Sequence, residues 1–124
     1  MAGCCKVYCD GRDLGISFQK LKASDTDSVL FISYKSKTAL SQTIDSSWVY
    51  SIISPADTTR SSLFKTISSE NDWKIFIPSI NKYYIITEFE TSTEKCECGG
   101  NKYKLIRSYK LNGTFKDGLF LELD

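Results

Sequence analysis

The chain contains no histidine. That removes Ser-His-Asp and Cys-His nucleophile systems, a His general base and every His metal ligand. A phosphate-binding glycine motif and a nucleophile elbow are also missing. Asp25-Thr26-Asp27-Ser28 lacks the glycine and terminal glutamate of a calcium loop. The formal net charge is only +1, so the molecule as a whole has no strong field for nucleic acid or membranes. No apolar run reaches the roughly 18 residues of a membrane span, and none of signal-peptide length follows Met1. These absences point to a non-enzymatic protein with a cytoplasmic location. The cysteine count of five is odd, which suits reduced thiols better than a complete disulfide set.

What is present describes a compact β protein. At 124 residues the chain has the length of a single domain, 1–124, able to bury a core without disulfide staples. Aromatic residues are plentiful and no linker or charge block divides the sequence. Short β-branched and aromatic segments recur between turn signals. Candidate strands are Lys6–Cys9, Gly15–Leu21, Ser28–Tyr34, Trp48–Ile53, Trp73–Ile77, Lys82–Phe89 and Tyr103–Leu111, with a last strand through Phe115, Leu119, Leu121 and Leu123. Val29-Leu30-Phe31-Ile32 is apolar on both faces, as in a central strand. Asp10-Gly11, Gly99-Gly100 and Asn112-Gly113 are two-residue hairpin signals, and Asp117-Gly118 marks a bend or bulge.

One segment departs from the strand pattern. Ser54 can cap, Pro55 suits a first helical position, and Asp57 follows three residues after the cap. Ala56, Leu63, Phe64 and Ile67 then share a helical face, which predicts a short helix over roughly 55–68 ended by Asn71-Asp72. The expected fold is mainly β: a small barrel or sandwich of about seven to eight short antiparallel strands with that one helix. Val7-Tyr8, Asp10, Gly15, Ser17 and Leu21, followed by Ser28-Val29, resemble the start of a βγ-crystallin Greek key. The resemblance covers about a fifth of the chain; the calcium motif of that family is not matched and no second copy follows.

Four groups of residues bear on function. Cys5 and Cys9 share a strand face, as do Cys96 and Cys98. If the two hairpins lie side by side, the four thiolates suit tetrahedral structural zinc; if they lie apart, they are small buried hydrophobes. No other cofactor is implied. Lys102, Lys104, Arg107, Tyr109 and Lys110 interleave cations with rings, the composition of a single-stranded nucleic-acid groove. Against that, a tight Gly99-Gly100 turn places Glu97 opposite Lys102, which reads as ordinary cross-strand pairing, although the same register sets Lys95 opposite Lys104 and so matches the charges imperfectly. The paired acids Asp25 and Asp27, and Glu88 and Glu90, read as solvated surface. Trp48, Tyr50, Tyr83 and Tyr84 cannot all point inward, because Tyr83 and Tyr84 take opposite faces of one strand. Whichever of them are exposed form a partner surface, since Tyr and Trp are favoured anchors.

The sequence therefore favours a binding protein acting through a protein–protein surface. An OB-like single-stranded nucleic-acid-binding domain is the alternative. Lectin-like stacking of the same rings on sugars is a third reading.

Overall fold

The computed structural model describes residues 11–51, 59–95 and 102–124. In chain order its strands are β1 (Asp13–Ser17), β2 (Ser28–Lys35), β3 (Thr43–Tyr50), β4 (Phe64–Ser68), β5 (Asn71–Ile77), β6 (Lys82–Lys95), β7 (Lys102–Leu111), β8 (Thr114–Asp117) and β9 (Phe120–Glu122). They form two sheets, ordered β4-β1-β9 and β3-β2-β5-β6-β7-β8. The fold is a sandwich-like, mainly β arrangement, and the described strands do not close into a barrel.

Alternation fixes the core. Leu14, Ile16 and Phe18 point inward from β1 and the residue after it. They meet Val29 and Phe31 of β2, Ile75 and Ile77 of β5, and Tyr84 and Ile86 of β6. The small sheet adds Ile67 of β4 and Leu121 of β9, with Leu123 just beyond. Leu14 lies opposite Ile67 and Ile16 opposite Leu121, so the inner face of the small sheet is apolar apart from Lys65, which lies opposite Ile16 with its ammonium 5.5 Å from the centre of the Phe31 ring. Phe18 and Phe31 meet edge to face across the sheets, centroids 6.2 Å apart, an arrangement suited to the ring quadrupoles.

Several expectations are corrected. No helix occupies the described part of 55–68: Phe64–Ser68 is β4, an edge strand antiparallel to β1, and residues 55–58 lie outside the described residues. Thr58–Thr66 is rich in poor helix formers, and Ile67 gains more by facing Leu14 than from a helical stripe. The regular helical pieces described are single 3-10 turns, Ala23–Thr26 and Pro78–Ile80. The strands are not all antiparallel, because β9 runs parallel to β1. The last strand is two: Gly118, at φ +95°, takes the chain from β8 in the large sheet to β9 in the small one.

The β6–β7 register also differs from the one a Gly99-Gly100 turn would set. Lys95 faces Lys102 and Thr93 faces Lys104, a register shifted by two residues from the expected one. The Gly99-Gly100 and Asp10-Gly11 turns and the Lys6–Cys9 strand involve residues outside those described. By contrast, Asn112-Gly113 forms the two-residue turn between β7 and β8, with φ of +50° and +83°. Both positive values match the type I′ hairpin turn. Asn112 is also tied to β6: its Oδ1 accepts from the Ile85 N–H at 2.7 Å, and its own N–H donates to the Ile85 carbonyl at 2.8 Å.

Two substitutions test this architecture by urea unfolding. Phe31→Ala should cost about 3–5 kcal/mol, the usual range for a buried ring. Asn112→Ala, which loses a side-chain acceptor at a left-handed position, should cost about 1–3 kcal/mol. A loss below about 1 kcal/mol for Phe31→Ala would place the core elsewhere.

Candidate functional site

Opposed residues in an antiparallel ladder share a face. Along the large sheet Trp48 lies opposite Leu30, Leu30 opposite Phe76, and Phe76 opposite Tyr83. This apolar row crosses four strands on the side away from the core. The neighbouring row is Ser46, Ile32, Lys74 and Ile85. Tyr50 is two residues beyond Trp48 and on the same face.

The rings on this face are organised in pairs. Trp48 and Tyr50 stack along β3 with centroids 6.0 Å apart and planes 21° apart. Phe76 and Tyr83 stack across β5 and β6 at 4.4 Å and 22°. The Lys74 ammonium sits 4.5 Å from the centre of the Tyr83 ring, within cation–π range. Tyr50 is 72% exposed, Trp48 44% and Tyr83 47%, whereas Leu30, Ile32, Phe76 and Ile85 are half-buried beneath them. Three exposed rings on an aliphatic floor exceed the scattered apolar residues of an ordinary surface.

Of the four aromatic residues singled out in the sequence, Trp48, Tyr50 and Tyr83 come together and Tyr84 does not. Tyr84 points into the core at 3% exposure, and its hydroxyl donates to the Asp124 carbonyl at 2.7 Å. Burial, with the nearby Asp124 charge, raises its pKa.

The basic and aromatic stretch of β7 does not assemble into one surface. Tyr109 is 1% exposed, with its ring against Phe89 at 5.7 Å. Its pKa is raised, first by burial and then by the Asp117 charge. Arg107 donates to Glu94 Oε2 and to Ser92 Oγ, each at 2.8 Å. The Ser92 hydroxyl and then Arg107 hold the Glu94 carboxyl below its ordinary value. Lys110 is 3.4 Å from Glu88. Lys102 and Lys104 are exposed, and Lys102 faces Lys95 across the ladder.

Cys5, Cys9, Cys96 and Cys98 lie outside the described residues. Among the described residues no three His, Cys, Asp or Glu side chains are placed to hold a metal ion.

One residue of consequence had no distinctive signal in the sequence. Asp72, the second residue of β5, lies opposite Tyr34 and is only 6% exposed. Burial raises its pKa above the ordinary 3.8; backbone hydrogen bonds from Lys37 and Glu88 work against this, and the Glu88 charge adds to it. In the sequence Asp72 resembles a turn residue, because its burial depends on segments far away in the chain.

No family model, curated protein or solved structure matches this chain, so the βγ-crystallin resemblance has no support beyond the residues that carry it.

Two outcomes follow from this geometry. Trp48→Ala and Tyr83→Ala should each change the unfolding free energy by less than about 1 kcal/mol, and Tyr84→Ala should cost about 3–5 kcal/mol. For Asp72, the raised folded pKa means that the folded chain holds the proton more tightly than the unfolded chain. Stability from this group is therefore fully present below pH 3.8 and is lost as pH rises through the folded value. Asp72→Asn lacks that loss, so wild type should gain on the variant as pH falls from neutral to below 3.8. A difference independent of pH in urea titrations would show that Asp72 is not desolvated.

Proposed function

We propose that this chain is a non-enzymatic binding protein that holds a protein partner on the outer face of the six-stranded sheet. The observation that carries this reading is the exposed group of Trp48, Tyr50 and Tyr83 over Leu30, Ile32 and Phe76. Tyr and Trp present large, stiff contact area at low entropic cost, and they dominate the energetic centres of protein interfaces. Lys74 is the one charged side chain in these two rows. The fitting partner segment therefore offers an apolar strip with a carboxylate placed to meet it.

The edge position of β3 supports the same reading. It is an eight-residue end strand of the large sheet, exposed along nearly its whole length. An extended partner segment can pair with such an edge while its side chains reach Trp48 and Tyr50. No helix described is long and apolar enough to cross a membrane. We place the protein in the cytoplasm, where its five thiols stay reduced.

The test begins with proximity labelling in the native cell, followed by titration of the purified candidate partner. Trp48→Ala and Tyr83→Ala should each weaken binding at least about tenfold while leaving the melting temperature near wild type. Unchanged affinity in a folded Trp48→Ala, Tyr83→Ala double variant would refute the assignment. So would saturable retention on immobilised glycans, lost in that variant, with no protein partner found.

A further inference from the structure

A second feature lies away from the aromatic row. The loop after β2, the Ser69-Glu70 turn between β4 and β5, and the irregular middle of β6 enclose a cleft of about 680 Å³. That volume falls in the range of small-molecule sites. The backbone around it is specialised: Lys37, Ala39 and Glu88 have φ of +63°, +53° and +55°. Non-glycine residues adopt this region at a cost, and several around one cleft point to a conformation held for a purpose.

The polar groups of the cleft are acceptors short of donors. Asp72 takes hydrogen bonds from the backbone of Lys37 and Glu88, which leaves part of a carboxylate's four acceptor sites open. None of the ion pairs among the described residues involves Asp72. Ser69 also lines the cleft, is 9% exposed, and its Oγ has no hydrogen-bond partner among the described residues. A buried hydroxyl without a partner is costly, and a ligand donor that reaches it relieves that cost. Glu70 and Glu90 add negative charge at the mouth, Glu88 beside them is paired with Lys110, and the Phe89 ring contributes an apolar wall. Lys37 and Lys104 also border the cleft, but both are exposed. Their long stems allow the ammonium groups to swing into water.

These features select the ligand class. An anion would meet a buried carboxylate. A bare metal ion requires converging ligands, and no three acidic side chains among the described residues converge. A guanidinium or alkylammonium group carries several N–H donors, spreads its charge and packs on an aromatic wall. We propose that this cleft binds a small organic cation through a guanidinium or alkylammonium group, with Asp72 as its countercharge and Ser69 Oγ as a second acceptor. The same chemistry arises from a free amine metabolite or from an arginine side chain of another protein. Asp72 is on the same side of β5 as Lys74 and Phe76, but the cleft shares no lining residue with the aromatic row, and its existence does not depend on that row binding a partner.

The test is an amide NMR titration of the full chain with three probes: agmatine, N-acetyl-arginine amide and N-acetyl-citrulline amide. Citrulline has nearly the same shape without the charge. Saturable shifts at the Lys37, Ser69 and Glu88 amides with agmatine, with the arginine amide or with both support the proposal. Agmatine alone indicates a free amine, and the arginine amide alone indicates a protein side chain. Asp72→Asn should weaken binding about tenfold or more. Ser69→Ala, which removes an unpartnered hydroxyl and should fold normally, should weaken it several-fold. Equal shifts with citrulline, no saturable shift with either cation up to about 10 mM, or unaltered affinity in Ser69→Ala would overturn it. Tighter binding of calcium ion at the same amides would also overturn it, by making the cleft a metal site.

Discussion

The face-to-face contact between the two sheets is the constraint on which the rest depends. Leu14, Ile16 and Phe18 in and just after β1 press against Val29, Phe31, Ile75 and Ile77 of the large sheet. Because successive side chains in a strand alternate, placing one residue inside commits every residue of that strand. Once Phe31 is inside, Leu30 and Ile32 must be outside. The ladder then carries this assignment sideways to Trp48, Phe76 and Tyr83. The aromatic face is therefore the complement of the core, generated by the same register.

The small sheet has too few strands to cover the large one. Three strands lie against six, which leaves β3 exposed at one edge, and the sandwich is finished by loops. At one end the β2–β3 loop and the Ser69-Glu70 turn reach the irregular stretch of β6. Asp72, at the start of β5, loses its water there. The exposed aromatic face and the acidic cleft thus have a common origin in the mismatch between the sheets. The aromatic face is apolar, whereas the cleft is half-open and rich in acceptors, so the two differ in chemistry.

Gly15 shows how closely the outside of the small sheet is packed. A Cβ there would lie 2.7 Å from Phe64 Cζ and 2.8 Å from Phe120 Cδ1. These two exposed rings lean over the glycine from β4 and β9, centroids 6.3 Å apart. The glycine thus lets edge-strand aromatics cover a backbone that would otherwise be bare. In the sequence Gly15 sits inside a strand pattern with no sign of that role.

The sequence by itself determined the local chemistry. Val29 to Ile32 is a strand between two others, because β-branched and aromatic residues suit a pleat buried on one side and half-covered on the other. Asn112-Gly113 is a hairpin turn, because both positions tolerate positive φ. Tyr83 and Tyr84 separate to opposite faces by alternation alone. The missing histidine is likewise a fact of composition, and it bears on chemistry whatever the fold. Tertiary structure decided everything that joins distant segments. It turned Phe64–Ser68 into a strand, because the edge of β1 offers backbone hydrogen bonds and an apolar seat for Ile67 that an isolated short helix cannot match. It set Lys95 opposite Lys102, because that register continues the pairing of Ile86 with Leu111 and Thr87 with Lys110 at the other end of the ladder, and the whole ladder outweighs the preference of one turn. It chose which of Tyr83 and Tyr84 faces solvent, and it buried Asp72. Local propensity is read from neighbours in the chain, whereas burial is settled by segments that meet only once the sheets have closed.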